Sequence, residues 1–281
     1  MPDSTPLPVL IVGAGLSGLA CAVTLHEARI PVQVFEASDG VGGRVRTDRV
    51  DGFLLDRGFQ VYLSAYPEAG KLLDLEALNL RAFEPGALVF DGSNIHRVMD
   101  VFRRPTAMIE SALAPVGTFM DKARVALLRF RSLGSSETEI AARPDQKTKS
   151  FLQNFGFSEN MIEGFFSAFY GGIFLERDLR TSSRMFEFTF KMFSQGSATL
   201  PATGMGAIPL QLAKRLPPET IRIRSAIASA TPDTLTLPSG EEILGCQVVI
   251  ATQAPQTARL VPGFSAKEPA WRSVTNLYFH A

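Results

Sequence analysis

The stretch from Pro8 to Glu36 constrains the fold more than any other. Pro8-Val-Leu-Ile-Val12 is an apolar run of strand length, and Gly13-Ala14-Gly15-Leu16-Ser17-Gly18 follows it directly. Leu16 to Glu27 is rich in Ala and Leu and reads as a helix that Pro31 stops. Val32-Gln-Val-Phe35 predicts a second strand, ending at Glu36. Strand, glycine turn, helix and strand in this order make the unit that binds a dinucleotide. The three glycines act differently. Gly13 permits the tight turn, Gly15 lets a pyrophosphate approach the backbone, and Gly18 lets helix and strand pack closely. The helix N-terminus offers unpaired N–H groups to the anion. Glu36, 18 positions after Gly18, is placed to accept both hydroxyls of a ribose, and its charge disfavours a 2′-phosphate.

A GxGxxG turn serves NAD and FAD alike; the next loop separates them. Glu36-Ala37-Ser-Asp-Gly40-Val-Gly42-Gly43-Arg44-Val-Arg46-Thr47 resembles the second fingerprint of the FAD-dependent amine oxidase, phytoene desaturase and protoporphyrinogen oxidase superfamily. There a glycine pair and an arginine follow the ribose-binding acid within one short loop. Two glycines let the backbone lie against a pyrophosphate, and a guanidinium neutralises it with fixed fork geometry. The resemblance implies FAD as cofactor, held by Gly13, Ala14, Gly15, Leu16, Ser17, Gly18, Glu36, Ala37, Gly42, Gly43 and Arg44. One departure stands out. The family usually has an arginine where this chain has Gly40, so one phosphate or ribose contact is either missing or supplied by Arg46.

The resemblance continues further along the chain. Asp56-Arg57-Gly58-Phe59-Gln60 is similar to a stretch that passes beside the flavin ring, which implies Gly58, Phe59 and Gln60 there. Leu200-Pro-Ala-Thr-Gly204-Met-Gly206-Ala-Ile-Pro209 resembles the P-x-x-G-M-x-x-(I/L) segment that returns the chain to the FAD domain. Ile221 to Ile227 reads as an edge strand, and the resemblance places the backbone of Ile227 against the adenine. Thr234 to Leu244 predicts a hairpin around Pro238-Ser-Gly240, and Gln247 to Thr252 a buried strand. The fold class that follows is α/β, a doubly wound Rossmann-like FAD-binding domain with an inserted α+β substrate domain. Residues 1–84 and 196–270 are assigned to the FAD-binding domain, 85–195 to the insert, and 271–281 to the start of a strand returning to it.

Inside the insert, Ala87 to Arg97 predicts a strand pair around Asp91-Gly92-Ser93-Asn94, and Arg104 to Leu133 is helical, punctuated by Pro115 and Gly117. Met120 to Phe130 puts Ala123, Leu127 and Phe130 on one face, among Lys122, Arg124, Arg129 and Arg131. Such a helix is either a solvated surface element or one that lies on a membrane. Residues 132–149 read as an exposed connector. Residues 151–193 hold 11 of the 21 phenylalanines, with Tyr170-Gly-Gly-Ile as a turn. The segment is an apolar substrate pocket, a helical core, or both; Phe165, Phe169 and Tyr170 are the candidate pocket residues. Amine oxidases of the superfamily carry a lysine that holds a water at the flavin. Aligning their S-V-x-K stretch with Ser273-Val-Thr-Asn276 puts Asn276 there, and asparagine cannot act as a cation or a base.

The expected substrate is therefore a hydrophobic polyene, terpenoid or related ring compound that gives a hydride to flavin N5. The rival readings are an amine oxidase, a truncated or non-catalytic dinucleotide-binding remnant, and an NAD-dependent dehydrogenase. Family members continue beyond the last residue of this chain, which reads as a fragment, a truncated product or a minimal variant. Composition excludes other classes. Twenty-eight basic residues balance 28 acidic ones, so nothing in the charge favours a nucleic acid. Two cysteines point to a reducing compartment, and three scattered histidines have no metal-ligand spacing. The apolar run at Pro8 lacks a basic leader and is cut by glycines, which argues against a signal peptide. No run suffices for a membrane span, so a cytoplasmic protein is expected, with peripheral membrane contact the alternative.

Overall fold

Alternation along one short strand organises the core. Val9–Val12 lies between Val32–Phe35 and Gln247–Ile250 in a parallel sheet, and Ile221–Arg222 adds the far edge. Side chains of successive strand residues point to opposite faces. Val9 and Ile11 accordingly pack with Leu19 and Val23 of the helix Leu16–Glu27 and with Leu212 and Leu216. Leu10 and Val12 pack with Phe35, Leu235 and Leu260 on the other side. That second face is covered by an antiparallel sheet of Ser229–Ala230, Thr234–Thr236 and Glu242–Leu244 and by the helix Ala254–Leu260. The architecture is α/β and Rossmann-like. It is seen in a computed structural model that describes residues 6–58, 61–264 and 271–279.

The hairpin around Gly240 forms as the sequence predicts, whereas two strands differ. Gln247–Ile250 is half-buried rather than buried, because among the described residues it is an edge of the sheet. The edge strand expected over Ile221–Ile227 stops at Arg222. Arg224 has φ 54°, and the chain turns to wrap the acid loop: the N–H groups of Arg224 and Ser225 donate to the carbonyls of Ser38 and Glu36, both at 2.8 Å.

A three-stranded sheet not foreseen from sequence joins distant segments. Ala198–Pro201 sits between Tyr62–Leu63 and Leu80–Ala82. In the insert, the hairpin Gly86–Phe90/Ile95–Met99 forms as expected. Asp91 Oδ1 closes its turn by accepting from the N–H groups of Ser93 and Asn94 at 2.8 and 2.7 Å. Helices follow: Met108–Leu113, Phe119–Leu133, Glu137–Ala142, Thr148–Phe155, a run from Glu159 to Phe174, and Ser183–Gln195. Their core is aromatic. Phe166 stands edge-on to Phe157 at 4.9 Å, and Tyr170 to Phe186 at 4.6 Å.

Three expectations for the insert and the tail are corrected. Tyr170-Gly-Gly-Ile is no turn but lies within the helix Ser167–Phe174, where a side chain at Gly171 would come 2.5 Å from the carbonyl oxygen of Glu176. The connector 132–149 contains the helix Glu137–Ala142, started by a capping box between Ser136 and Glu139 and anchored by buried Ile140. Phe119–Leu133 is the surface helix that the sequence suggests: Ala123, Leu127 and Phe130 are exposed, and its buried face carries Asp121, Leu128 and Ser132. The helix packs on Ser183–Gln195, and that contact selects Leu128 rather than its neighbour. Residues 271–279 carry no strand; the tail is held instead by Arg272, which pairs with Glu176 at 2.5 Å, and by the Tyr278 hydroxyl, which donates to the Asp56 carbonyl at 2.7 Å. Among the described residues, no helix is long and apolar enough to cross a membrane.

Candidate functional site

The first glycine turn combines two tight positions with an open one. Gly13 has φ +105°, and a Cβ on Gly18 would lie 1.9 Å from the Gly13 carbonyl oxygen. A Cβ on Gly15, by contrast, would meet nothing within 4 Å, and its φ of −72° suits any residue. Open space at Gly15 is what a ligand approaching the backbone requires. The second glycine loop faces it. Gly42 N donates to the Ala14 carbonyl at 2.8 Å, and a Cβ on Gly43 would lie 3.4 Å from Gly15 Cα. Leu16 and Ser17 are exposed at the mouth and Ala14 is buried beneath it. No side chain caps the helix Leu16–Glu27, so its first N–H groups are available to an anion.

Glu36 is fixed beside this opening. Its Oε2 accepts from Ala14 N at 2.8 Å and its Oε1 from Ser38 N at 2.9 Å. Each oxygen keeps capacity for a further hydrogen bond. Ala37 next to it is exposed. Arg44 is exposed and has no ion-pair partner among the described residues. Arg46 pairs with Asp39 at 2.8 Å, and its guanidinium lies over Gly40, 3.4 Å from where a Cβ would stand. Ile227 is buried in the cluster that includes Phe35. Gly58 lies against the Arg44 carbonyl, 3.2 Å from its own would-be Cβ. Phe59 and Gln60 lie outside the described residues.

Sequence reasoning missed the clamp that holds these loops. Buried Asp56 accepts from the Thr47 hydroxyl and, at 2.9 Å, from Met205 N; Gly206 N donates to the same Thr47 hydroxyl at 2.8 Å. The returning segment Gly204–Gly206 is thereby locked onto the strands Arg46–Val50 and Phe53–Arg57.

A cavity of about 860 Å³ opens in the insert, walled by the hairpin and by the helices Met108–Leu113, Phe119–Leu133 and Ser183–Gln195. Phe165, Phe169 and Tyr170, the residues chosen from sequence, all line it. Phe165 and Phe166 sit in a π-turn, Ile162–Phe166, that interrupts the helix from Glu159. Burial pushes the Tyr170 hydroxyl pKa far up. Val61, next after the Phe59-Gln60 pair, also lines the cavity. Its charged groups are committed elsewhere. Asp100 pairs with Arg129 at 3.1 Å and Arg103 at 3.5 Å, and Glu84 with Arg104 at 2.9 Å. Lys122 donates to the carbonyls of Ala112 and Ala114 at 2.6 and 2.7 Å, and burial lowers its pKa. Asn276 is exposed and does not line the cavity: the stretch holding it forms no strand that would carry it inward. No group of three metal-ligating side chains occurs among the described residues.

Comparison with known proteins gives a consistent picture. The family described as flavin containing amine oxidoreductase matches residues 16–281. Protoporphyrinogen oxidase 2 of Arabidopsis thaliana is 31% identical over 164 residues, 58% of this chain and 32% of that protein. A zeta-carotene-forming phytoene desaturase of Myxococcus xanthus is 46% identical over 55 residues, 20% of this chain and 11% of that one. Among solved structures, an oxidoreductase from Methanosarcina mazei superposes with a TM-score of 0.69 at 20% identity, over 93% of this chain and 63% of the other. The chain thus spans about a third of the plant protein and about three-fifths of the solved structure.

Proposed function

This chain belongs to the flavin-containing amine oxidoreductase family, and from that premise we propose that it serves the FAD-dependent oxidation of an apolar substrate, a polyene, terpenoid or related ring compound. The cofactor is FAD, which when bound supplies the two-electron acceptor. In this reading residues 1–84 and 196–270 are the FAD-binding domain and 85–195 the substrate domain. The open backbone at Gly15, faced by Gly42 and Gly43, takes the pyrophosphate, and exposed Arg44 neutralises it. Glu36, already oriented by two N–H groups, takes the ribose. Arg46 reaches across Gly40 to make the contact that position lacks, and the backbone of Ile227 lies at the adenine. Gly58 lies on the flavin side. A cytoplasmic location fits the cysteine content, two cysteines that form no disulfide.

Glu36→Ala is expected to weaken FAD binding at least tenfold, because hydrogen bonds to a charged group contribute about 1.5–3 kcal/mol each. Titration of apo-protein with FAD measures it, and an unchanged dissociation constant would remove Glu36 from the ribose.

The observation that carries the substrate class is the cavity beginning at Val61: its walls are mostly apolar, with phenylalanine prominent, and both of its carboxylates are already paired with arginines. An ammonium would find no free anion there, and stripping it of water would go uncompensated. With FAD loaded, primary amines and polyamines are expected to release no peroxide and to leave the flavin oxidised, while apolar polyenes shift or bleach its spectrum. Amine turnover on the order of 1 per second or more would restore the amine-oxidase reading.

A further inference from the structure

We propose that the hydroxyl of Tyr170 selects the substrate, donating a hydrogen bond to the one oxygen of an otherwise apolar molecule, a terpenoid or polyene that carries a single hydroxyl or carbonyl group. The inference rests on the reading of the phenylalanine-lined cavity as the substrate site, and it narrows the class of molecule that the cavity takes.

The reasoning starts from the hydrogen bonds along the cavity wall. Its carboxylates are paired with arginines, and its lysine with two carbonyls. The Ser194 hydroxyl donates to the Phe190 carbonyl at 2.8 Å, and the Ser111 hydroxyl accepts from Met99 N at 3.0 Å. Tyr170 lines the same wall and is only 2% exposed, yet its hydroxyl makes no hydrogen bond among the described residues. Polar groups in a protein interior are nearly always hydrogen-bonded, so an exception on a cavity wall asks for a partner from outside the chain. A ligand can reach this one. The hydroxyls of Tyr62, Ser132 and Ser167 are unpartnered and wholly enclosed. Tyr170 is not among them, and the space beside it is the cavity.

The ring around that oxygen is held in place. Phe186 and Phe169 stand edge-on to it at 4.6 and 5.2 Å, and Phe174 and Phe166 lie tilted against it at 5.7 and 6.2 Å. Boxed by four rings, the phenol cannot turn away to find another acceptor. A molecule that fills the cavity strips the hydroxyl of water. A hydrocarbon leaves it with neither water nor acceptor, which costs binding, whereas an oxygen on the ligand restores the bond. Burial pushes the hydroxyl pKa far up, so the group keeps its proton and donates it. A carboxylate or phosphate would bring a charge that a neutral phenol does not offset. One neutral donor in an apolar wall therefore matches one neutral acceptor on an apolar ligand.

Farnesol and farnesene share a terpenoid chain and differ in the terminal hydroxyl. Their dissociation constants are measured on the whole chain by displacement of the neutral dye N-phenyl-1-naphthylamine. Tyr170→Phe keeps the ring and removes only the oxygen. It is expected to bind farnesol about tenfold more weakly than the wild type, and farnesene at least as tightly. An unchanged farnesol constant in the variant overturns the inference and leaves the apolar cavity standing. Equal loss for both ligands also overturns it, because Tyr170 would then act through packing alone. So does a selective loss of farnesol in Ser111→Ala with none in Tyr170→Phe, which would put the ligand oxygen at Ser111. If neither terpenoid displaces the dye from the wild type, the reading of the cavity itself fails and the inference falls with it.

Discussion

Gly15→Val is expected to abolish FAD binding and leave the protein folded. The two halves of that outcome come from different parts of the same turn. At Gly15 the backbone has φ −72°, which valine adopts without strain, and a new Cβ meets no atom within 4 Å. Nothing in the folded chain resists the substitution, so thermal unfolding should shift little. The branched side chain instead fills the space between the glycine loops, where Gly43 closes the other side. A pyrophosphate needs that space, because its oxygens must come within hydrogen-bond reach of the first N–H groups of the helix. Gly18→Val is the contrast: its Cβ would fall 1.9 Å from the Gly13 carbonyl oxygen, a backbone atom that cannot move aside, so the helix must leave the sheet and the variant should lose its folded population. Flavin absorbance of the purified proteins and their circular dichroism read both outcomes. Gly15→Val protein that retains normal flavin would place the pyrophosphate elsewhere.

These glycines were legible in the sequence because their work is local. A turn, a helix start and a second strand within thirty positions or so leave a spacing that reads without the structure. The phenylalanine-rich segment left a pocket and a helical core equally open, and it turns out to make both: Phe165, Phe169 and Phe193 line the cavity, while Phe151, Phe157 and Phe186 pack in the core. What escaped had no local signature. Asp56 meets Met205 across 149 positions, and nothing near either residue announces the other. Leu128, on the buried face of Phe119–Leu133, is another such case, because only packing on the distant helix Ser183–Gln195 buries it. Asn276 was placed by a four-residue alignment, and its segment has no strand to bring it to the cavity. The helix at Glu137 was within reach: Ser136-Glu-Thr-Glu139 is a capping-box pattern that the polar composition around it outweighed.

Asp121→Ala is expected to destabilise the insert by about 3 kcal/mol, because alanine removes a buried carboxylate that accepts from the N–H groups and the hydroxyls of Thr118 and Ser158, and hydrogen bonds to a charged group contribute about 1.5–3 kcal/mol each. Asp121 is fully buried at the first turn of Phe119–Leu133 and accepts four hydrogen bonds. Its Oδ2 takes Thr118 N, Thr118 Oγ1 and Ser158 Oγ at 2.7, 2.7 and 2.6 Å, and its Oδ1 takes Ser158 N at 2.8 Å. One carboxylate thus starts its own helix and fastens it to the next, 37 positions away. Desolvation acts to raise the pKa of this group, but the hydrogen bonds from Ser158 and Thr118 together outweigh it and hold the pKa down at about 2. A carboxylate depressed in the folded state stabilises the fold above its unfolded pKa and loses that contribution as pH falls through the folded one. The wild type should therefore lose stability between about pH 4 and pH 2 by an amount that Asp121→Ala does not. Asp91 is likewise held at about 2, but it is present in both proteins and drops out of the difference. The consequence reaches the cavity, since Val116 and Met161 of its wall lie on the two segments that Asp121 joins. Denaturant titrations of both proteins from neutral to acid pH measure the effect. Parallel pH profiles would show that the four hydrogen bonds do not depend on the charge of Asp121.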